Sequence, residues 1–278
     1  MSPTVTIDDV AIGGRGGLAV IAGPCVVESM ETMRRTAGTL KEITARLGLG
    51  LVFKSSFDKA NRSGAGSGRG PGFENGLDVL ARIKDEFRVP VISDVHECWQ
   101  VEGASKVLSA LQIPAFLARQ TDLLIAAAES GLPVNVKKGQ FMAPEDMALV
   151  AGKMTGRPNF RGLCLCERGT TFGYHNLVVD MRSLAIMRQT GWPVVFDATH
   201  SVQLPSAGAG RSLGDRRFVP HLARAAVAVG VDGVFVETHP DPERALCDAA
   251  NQWPLAGMEK LLSDLKAVHE LAGRLAAD

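Results

Sequence analysis

The chain has no excess of charge of either sign: 30 lysines and arginines face 30 aspartates and glutamates. Such a balance gives no global field for nucleic acid or an anionic membrane, so neither is expected as a partner. No stretch approaches the ~20 uninterrupted apolar residues of a membrane span. The opening MSPTVTIDDVAIGG lacks a basic segment followed by a long apolar run, so it does not read as a signal peptide. Cysteine is sparse and odd in number (Cys25, Cys98, Cys164, Cys166, Cys247), which fits reduced thiols better than a disulfide framework. No Pro/Gly/Ser-rich linker divides the 278 residues. These absences point to a cytoplasmic protein made of one domain over 1–278, close to the ~250 residues of a single (β/α)8 barrel.

What is there is alternation. Short, nearly continuous apolar runs near 18–23, 50–54, 90–94, 113–117, 132–137, 161–166, 193–197 and 231–237 read as strands buried on both faces. Amphipathic segments such as METMRRTAGTLKEITARLG, NGLDVLARIKDEF, APEDMALVAGKM and VPHLARAAVAVG lie between them, with apolar residues at helical spacing. Eight strand–helix units in this length predict an α/β fold, a single closed (β/α)8 TIM barrel. An open doubly wound sheet is the alternative, but no GxGxxG follows the first strand. The glycine-rich stretch Gly64–Gly72 has no Gly-Lys-Ser/Thr end, so it is not a Walker loop.

A barrel gathers its active site at the carboxyl ends of its strands. There the sequence places Lys54, Ser56, Lys59, Asn61, Arg62 and Ser63 after the second strand, Asp94 after the third and Gln112 in the fourth segment. Lys137 shares a face with Asn135 on the fifth strand, with Lys138 on the other, and Arg168 follows the sixth. One such cation is usually a solvated loop charge. Lys54, Lys59, Arg62, Lys137 and Arg168 come from three strand ends of a neutral chain, and a barrel makes them converge into a site for more than one phosphate or carboxylate. For His96 and Glu97 the simpler reading is capping of the next helix.

Cys25, His200 and Glu237 close the first, seventh and eighth strands, with Asp248 just beyond. A thiolate, an imidazole and two carboxylates suit Zn, Fe(II) or Mn rather than Mg or Ca. Spacing alone leaves this open, because Cys25 could be a small buried hydrophobe and His200 a core or substrate-binding histidine. Cys164 and Cys166 share a strand face and read as small side chains filling the barrel interior.

Several motifs carry a resemblance: Ala22-Gly23-Pro24-Cys25 with Glu28-Ser29, Lys54 through Ser63 (KSSFDKANRS), Val134 through Phe141 (VNVKKGQF), Glu167-Arg168-Gly169, Phe196 through Pro205 (FDATHSVQLP) and Glu237-Thr238-His239-Pro240. In this order, from about residue 18 to 258, the chain resembles the 3-deoxy-D-manno-octulosonate 8-phosphate synthase family. KANRS discriminates, because the related 3-deoxy-D-arabino-heptulosonate 7-phosphate synthases carry Lys-Pro-Arg-Thr there. The resemblance implies condensation of phosphoenolpyruvate with arabinose 5-phosphate on the route to lipopolysaccharide. It implies that Lys54, Ser56, Lys59, Gln112, Ala115 (through its backbone), Lys137 and Arg168 hold phosphoenolpyruvate, and that Asn61, Arg62, Ser63 and Asp94 hold the pentose phosphate. Lys59, Lys137, Asn61 and His200 are then the candidate catalytic residues. Metal-independent members have Asn where this chain has Cys25, so the resemblance is to the metal-dependent type, with Cys25, His200, Glu237 and Asp248 as ligands of a divalent ion. It also implies a homotetramer. In the loop Ser206–Arg217, Leu213 stands in place of a glycine and Arg217 in place of a glutamate, which puts the lid contacts in question.

Overall fold

The computed structural model describes residues 3–14, 16–61, 68–208 and 211–275. Eight parallel strands form the barrel: β1 (Ala19–Gly23), β2 (Leu51–Lys54), β3 (Val91–Asp94), β4 (Ala110–Ile113), β5 (Val134–Lys137), β6 (Leu163–Glu167), β7 (Val194–Asp197) and β8 (Gly233–His239), and Trp253–Pro254 adds a short parallel pairing to β8. Each pairs with the next in sequence, and β8 pairs with β1 as well as β7, so the sheet closes into a barrel. Helices α1 (Met30–Leu47), α2 (Phe73–Phe87), α3 (Cys98–Ser105), α4 (Thr121–Glu129), α5 (Met147–Met154), α6 (Arg182–Arg188), α7 (Val219–Val229) and α8 (Met258–Leu275) follow the strands in turn.

The period-2 geometry of the strands sorts their residues into two cores. Leu18, Val20 and Ala22 face outward and pack with the helices, whereas Ala19 and Ile21 point inward. Val52, Ile92, Ala110, Cys164, Cys166, Val195 and Phe235 fill the interior with them. The two cysteines are therefore small packing residues, as their shared face predicted. An antiparallel hairpin, Val5–Ile7 with Val10–Ile12, adds Val5, Ile7, Val10 and Ile12 to the same inner core. Sequence reading did not find this hairpin, whose strands are three residues each.

One strand is corrected. The fourth was expected at 113–117, but β4 is Ala110–Ile113 and Ala115–Leu117 is a turn of 3-10 helix. Pro114 has no N–H for the ladder, so the chain leaves the sheet there. The shift brings Gln112 into the strand, level with Asp94 and Asn135.

Candidate active site and metal centre

Gly23 ends β1 so close to β2 that a Cβ there would lie 2.1 Å from the Lys54 carbonyl oxygen. Only glycine permits this approach, which brings the fully buried Cys25 beside the end of β2. The Lys54 ammonium donates to the Cys25 carbonyl (3.3 Å), and the Cys25 N–H donates to Gln252 Oε1 (3.3 Å). Gln252 donates in turn to the Cys247 carbonyl (2.9 Å), so one buried amide ties the segment before Asp248 to β1.

Across the barrel closure, Asp197 at the end of β7 accepts from the His200 backbone N–H (2.9 Å) through Oδ1 and faces His200 Nδ1 (2.8 Å) through Oδ2. The carboxylate holds the proton on Nδ1 and leaves Nε2 as the free donor atom for a metal. Nε2 lies 3.6 Å from Glu237 Oε2 and 4.0 Å from Asp248 Oδ2, and the Cys25 thiol is 3.3 Å from the same Asp248 oxygen. His200, Glu237 and Asp248 converge to within 4.8 Å, as do Cys25, Cys247 and Asp248. Asp248 sits at a φ of 47°, a sparsely populated conformation for a non-glycine residue, and its carbonyl accepts from Asn251 and Gln252.

The donor set fits a divalent cation. Glu237 Oε2 is buried with no hydrogen-bond partner among the described residues, although an isolated buried carboxylate oxygen is costly. Burial pushes the Glu237 carboxyl up, but Lys59, His200, Lys54 and Lys137 outweigh it and hold the group well below the usual carboxylate range. Burial raises the Cys25 thiol well above its usual value, and Cys247 and Glu237 add to this against Lys59. A thiolate here therefore needs a cation beside it, and a borderline-soft metal supplies one.

Beside this cluster runs a row of cations. Lys54 is 3.1 Å and Lys59 3.5 Å from Glu237 Oε1. Burial would lower the Lys59 ammonium, but Cys25, Glu237, Cys247 and Asp94 raise it well above its usual value, so it keeps its charge. Lys137 donates to Asp197 Oδ2 (2.5 Å) and lies 3.6 Å over the Phe235 ring, a cation–π contact inside the barrel. A polar belt joins the ends of β2 to β5: Ser56 donates to Asp94 (2.8 Å), Gln112 donates to Asp94 (2.5 Å), and Asn135 donates to Gln112 (3.0 Å). Arg168 is buried; its Nη2 donates to Gln203 Oε1 (3.1 Å), while Nη1 has no partner among the described residues. Gln203 reaches onward to Asp248 (3.4 Å), linking Arg168 to the His200–Glu237–Asp248 cluster.

The structure thus brings together Cys25, Lys54, Ser56, Lys59, Asp94, Gln112, Lys137, Arg168, His200, Glu237 and Asp248. Ala115 opens the turn after β4. Asn61 is exposed in the loop after β2, and Arg62 and Ser63 lie outside the described residues. Glu97 is the N-cap of α3 in a capping box with Gln100, which accepts from the backbone N–H groups of His96 and Glu97, as expected for Glu97. The His96 side chain does not cap; its ring packs edge-on against Phe57, with Nδ1 unpartnered among the described residues. Sequence reasoning missed Cys247, Asp197, Gln203, Gln252 and Phe235. A carboxylate three residues before His200 was the one local signal. In the strands Gln203–Gly208 and Arg211–Gly214, Leu213 pairs with Leu204, and Arg217 makes a local pair with Asp215. Arg216, rather than Arg217, reaches across to the Ala249 carbonyl (2.7 Å), the Ala250 carbonyl (3.3 Å) and Glu243 (2.7 Å).

Comparison with known proteins places these features in context. The model of the DAHP synthetase I family matches residues 2–274. A 2-dehydro-3-deoxyphosphooctonate aldolase of Magnetococcus marinus is 57% identical over 272 residues, covering 98% of this chain and 94% of the relative. The protein of the same name from Syntrophotalea carbinolica is 55% identical, covering 96% of each chain. That of Xylella fastidiosa is 56% identical over 96% of this chain and 98% of its own.

Proposed function

Because the chain belongs to the DAHP synthetase I family and matches 2-dehydro-3-deoxyphosphooctonate aldolases along nearly its whole length, we infer that it condenses phosphoenolpyruvate with D-arabinose 5-phosphate. The products are 3-deoxy-D-manno-octulosonate 8-phosphate and inorganic phosphate, a lipopolysaccharide precursor and its by-product. The protein is an enzyme, an aldol-type transferase. One observation carries the residue assignments: Lys54, Lys59, Lys137 and the half-satisfied Arg168 guanidinium converge at one barrel mouth, as two phosphates and a carboxylate side by side require.

In this assignment Lys54, Ser56, Lys59, Gln112, Lys137, Arg168 and the Ala115 backbone hold phosphoenolpyruvate, and Asn61, Arg62, Ser63 and Asp94 hold the pentose phosphate. The methylene carbon of phosphoenolpyruvate forms a bond to the aldehyde carbon, whose oxygen takes up a proton. Water adds to the positive, phosphate-bearing carbon that this leaves and gives up a proton. The tetrahedral intermediate loses its hydroxyl proton as it expels phosphate by carbon–oxygen cleavage, leaving the ketone. Lys59 keeps its positive charge beside the reacting centre, and Lys137 and His200 both pair with the Asp197 carboxylate. Cys25, His200, Glu237 and Asp248 would hold a divalent metal, Zn, Fe(II) or Mn by their chemistry, with Cys247 adjacent. When bound, that ion supplies Lewis acidity toward the aldehyde or a water.

A homotetramer accords with the exposure of Phe116, Phe141, Phe172 and Tyr174, large apolar side chains that a partner subunit would cover. A cytoplasmic location accords with five free cysteines. Among the described residues no helix is long and apolar enough to cross a membrane. The other reading is a condensing enzyme for another aldose such as erythrose 4-phosphate, and the KANRS motif at 59–63 favours the pentose. Phosphate release should occur with arabinose 5-phosphate and be far slower with erythrose 4-phosphate; no turnover with the pentose overturns the assignment.

A further inference from the structure

The residues behind Arg168 are as organised as those in front of it, and the reaction assigns them nothing. Along β5 and β6 the inward side chains are Lys137 and Cys166, so their neighbours Lys138 and Glu167 turn outward into the layer between strands and helices. Both are fully buried, with 0% and 1% of the residue exposed. Glu167 Oε1 accepts from the backbone N–H groups of Arg168 (2.9 Å) and Gly169 (2.6 Å), and Oε2 accepts from the Ser183 hydroxyl at the start of α6 (2.7 Å). The Lys138 ammonium stands 3.6 Å from Oε1 and donates to the carbonyls of Gly139 and Met142 (both 3.3 Å) and to Thr170 Oγ1 (3.0 Å).

The pair therefore grips the backbone on both sides of Arg168. The carboxylate fixes the peptide N–H groups of Arg168 and Gly169, and the ammonium fixes Thr170 and the turn after Lys137. Gly169, at a φ of 92°, gives the sharp turn that lets the chain fold back over the pair. A buried ion pair is rarely kept for stability alone, because apolar residues of similar volume serve as well or better. Here its geometry holds the loop that presents the Arg168 guanidinium to the barrel mouth, its Nη1 without a partner among the described residues.

We propose that Lys138 and Glu167 are a positioning pair that sets Arg168, and with it the end of β5, to receive the phosphate group of phosphoenolpyruvate. Their role rests on the phosphoenolpyruvate assignment above. Neither side chain touches substrate; both act through the backbone of the loop that carries Arg168.

The test is substrate-selective. Glu167→Gln keeps a carbonyl oxygen for the two N–H groups while removing the charge, and Lys138→Met keeps length while removing the cation. For each folded variant the KM for both substrates and the dissociation constant of phosphoenolpyruvate by calorimetry are measured. The constants for phosphoenolpyruvate should rise about 10-fold, with the KM for arabinose 5-phosphate within about 2-fold of wild type. The double variant should lose no more than the worse single one, because the two residues act as one unit. Unchanged phosphoenolpyruvate affinity in Glu167→Gln overturns the pair, as does equal weakening of both substrates, which marks general loosening. If Lys138→Met does not fold, Glu167→Gln decides alone. A wild-type protein that fails to bind phosphoenolpyruvate overturns the underlying assignment instead, so the two failures are distinct.

Discussion

The Cys25 sulfur lies 3.3 Å from Oδ2 of Asp248, although 223 residues separate them in the chain. The pairing of β8 with β1 closes the barrel and brings their ends together, and Gln252 then ties the Asp248 segment to the Cys25 backbone. The same Asp248 oxygen is 4.0 Å from His200 Nε2, so one carboxylate joins the thiol side of the cluster to the imidazole side. Replacing Asp248 by Ala should weaken Mn or Zn binding by more than about 10-fold, as for loss of a supporting metal-site residue. Competition against a chromophoric chelator measures this, and unchanged affinity would remove Asp248 from the ligand set.

Arg216 should matter and Arg217 should not. Arg216 clamps the carbonyls of Ala249 and Ala250, next to Asp248, whereas among the described residues the Arg217 side chain pairs with its neighbour Asp215. Gly214 lets this segment close, since a Cβ there would lie 1.4 Å from Asn251 Oδ1. Arg216→Ala should cost about 1.5–3 kcal/mol of hydrogen bonding to the segment. Limited proteolysis should then cut around 243–250 faster than in wild type, with metal affinity reduced, while Arg217→Ala behaves as wild type in both.

Acid stability should depend on Asp94. Burial raises its carboxyl, but Lys54, Lys59, His96 and Lys137 hold it well below the usual carboxylate range. A depressed carboxylate stabilises the fold above the pKa of the unfolded chain, near ~4, and that contribution is lost as pH falls through the folded pKa. Asp94→Asn should therefore lower stability at neutral pH by about 2 kcal/mol, and its deficit should shrink progressively below pH ~4. Urea unfolding across an acid series reads this directly. A deficit that stays constant with pH contradicts the charge argument.

The barrel was legible because buried parallel strands write continuous apolar runs and their helices write a 3.6-residue period. What failed was local. Ile113–Leu117 looks like a strand by composition, yet Pro114 forces the exit, and the hairpin Val5–Ile12 is too short to show a period. In the site, Lys54, Lys137, Arg168, His200 and Glu237 could be found because the fold rule places strand ends at the mouth. Cys247, Gln203 and Gln252 sit in connecting segments, where position depends on tertiary packing that no period encodes. Phe235 was visible only as an apolar strand residue, and its role beneath Lys137 required knowing which way β8 faces.

The most direct test of the metal centre is optical. Protein stripped by chelation and titrated with Co(II) should develop a thiolate-to-cobalt charge-transfer band that saturates near about one ion per chain, as the proposed ligation by Cys25 requires. In Cys25→Asn the band should vanish, even if some cobalt still binds through His200, Glu237 and Asp248. A wild-type protein that shows no such band, or a Cys25→Asn variant that keeps it, would contradict the assignment of Cys25 as the thiolate ligand.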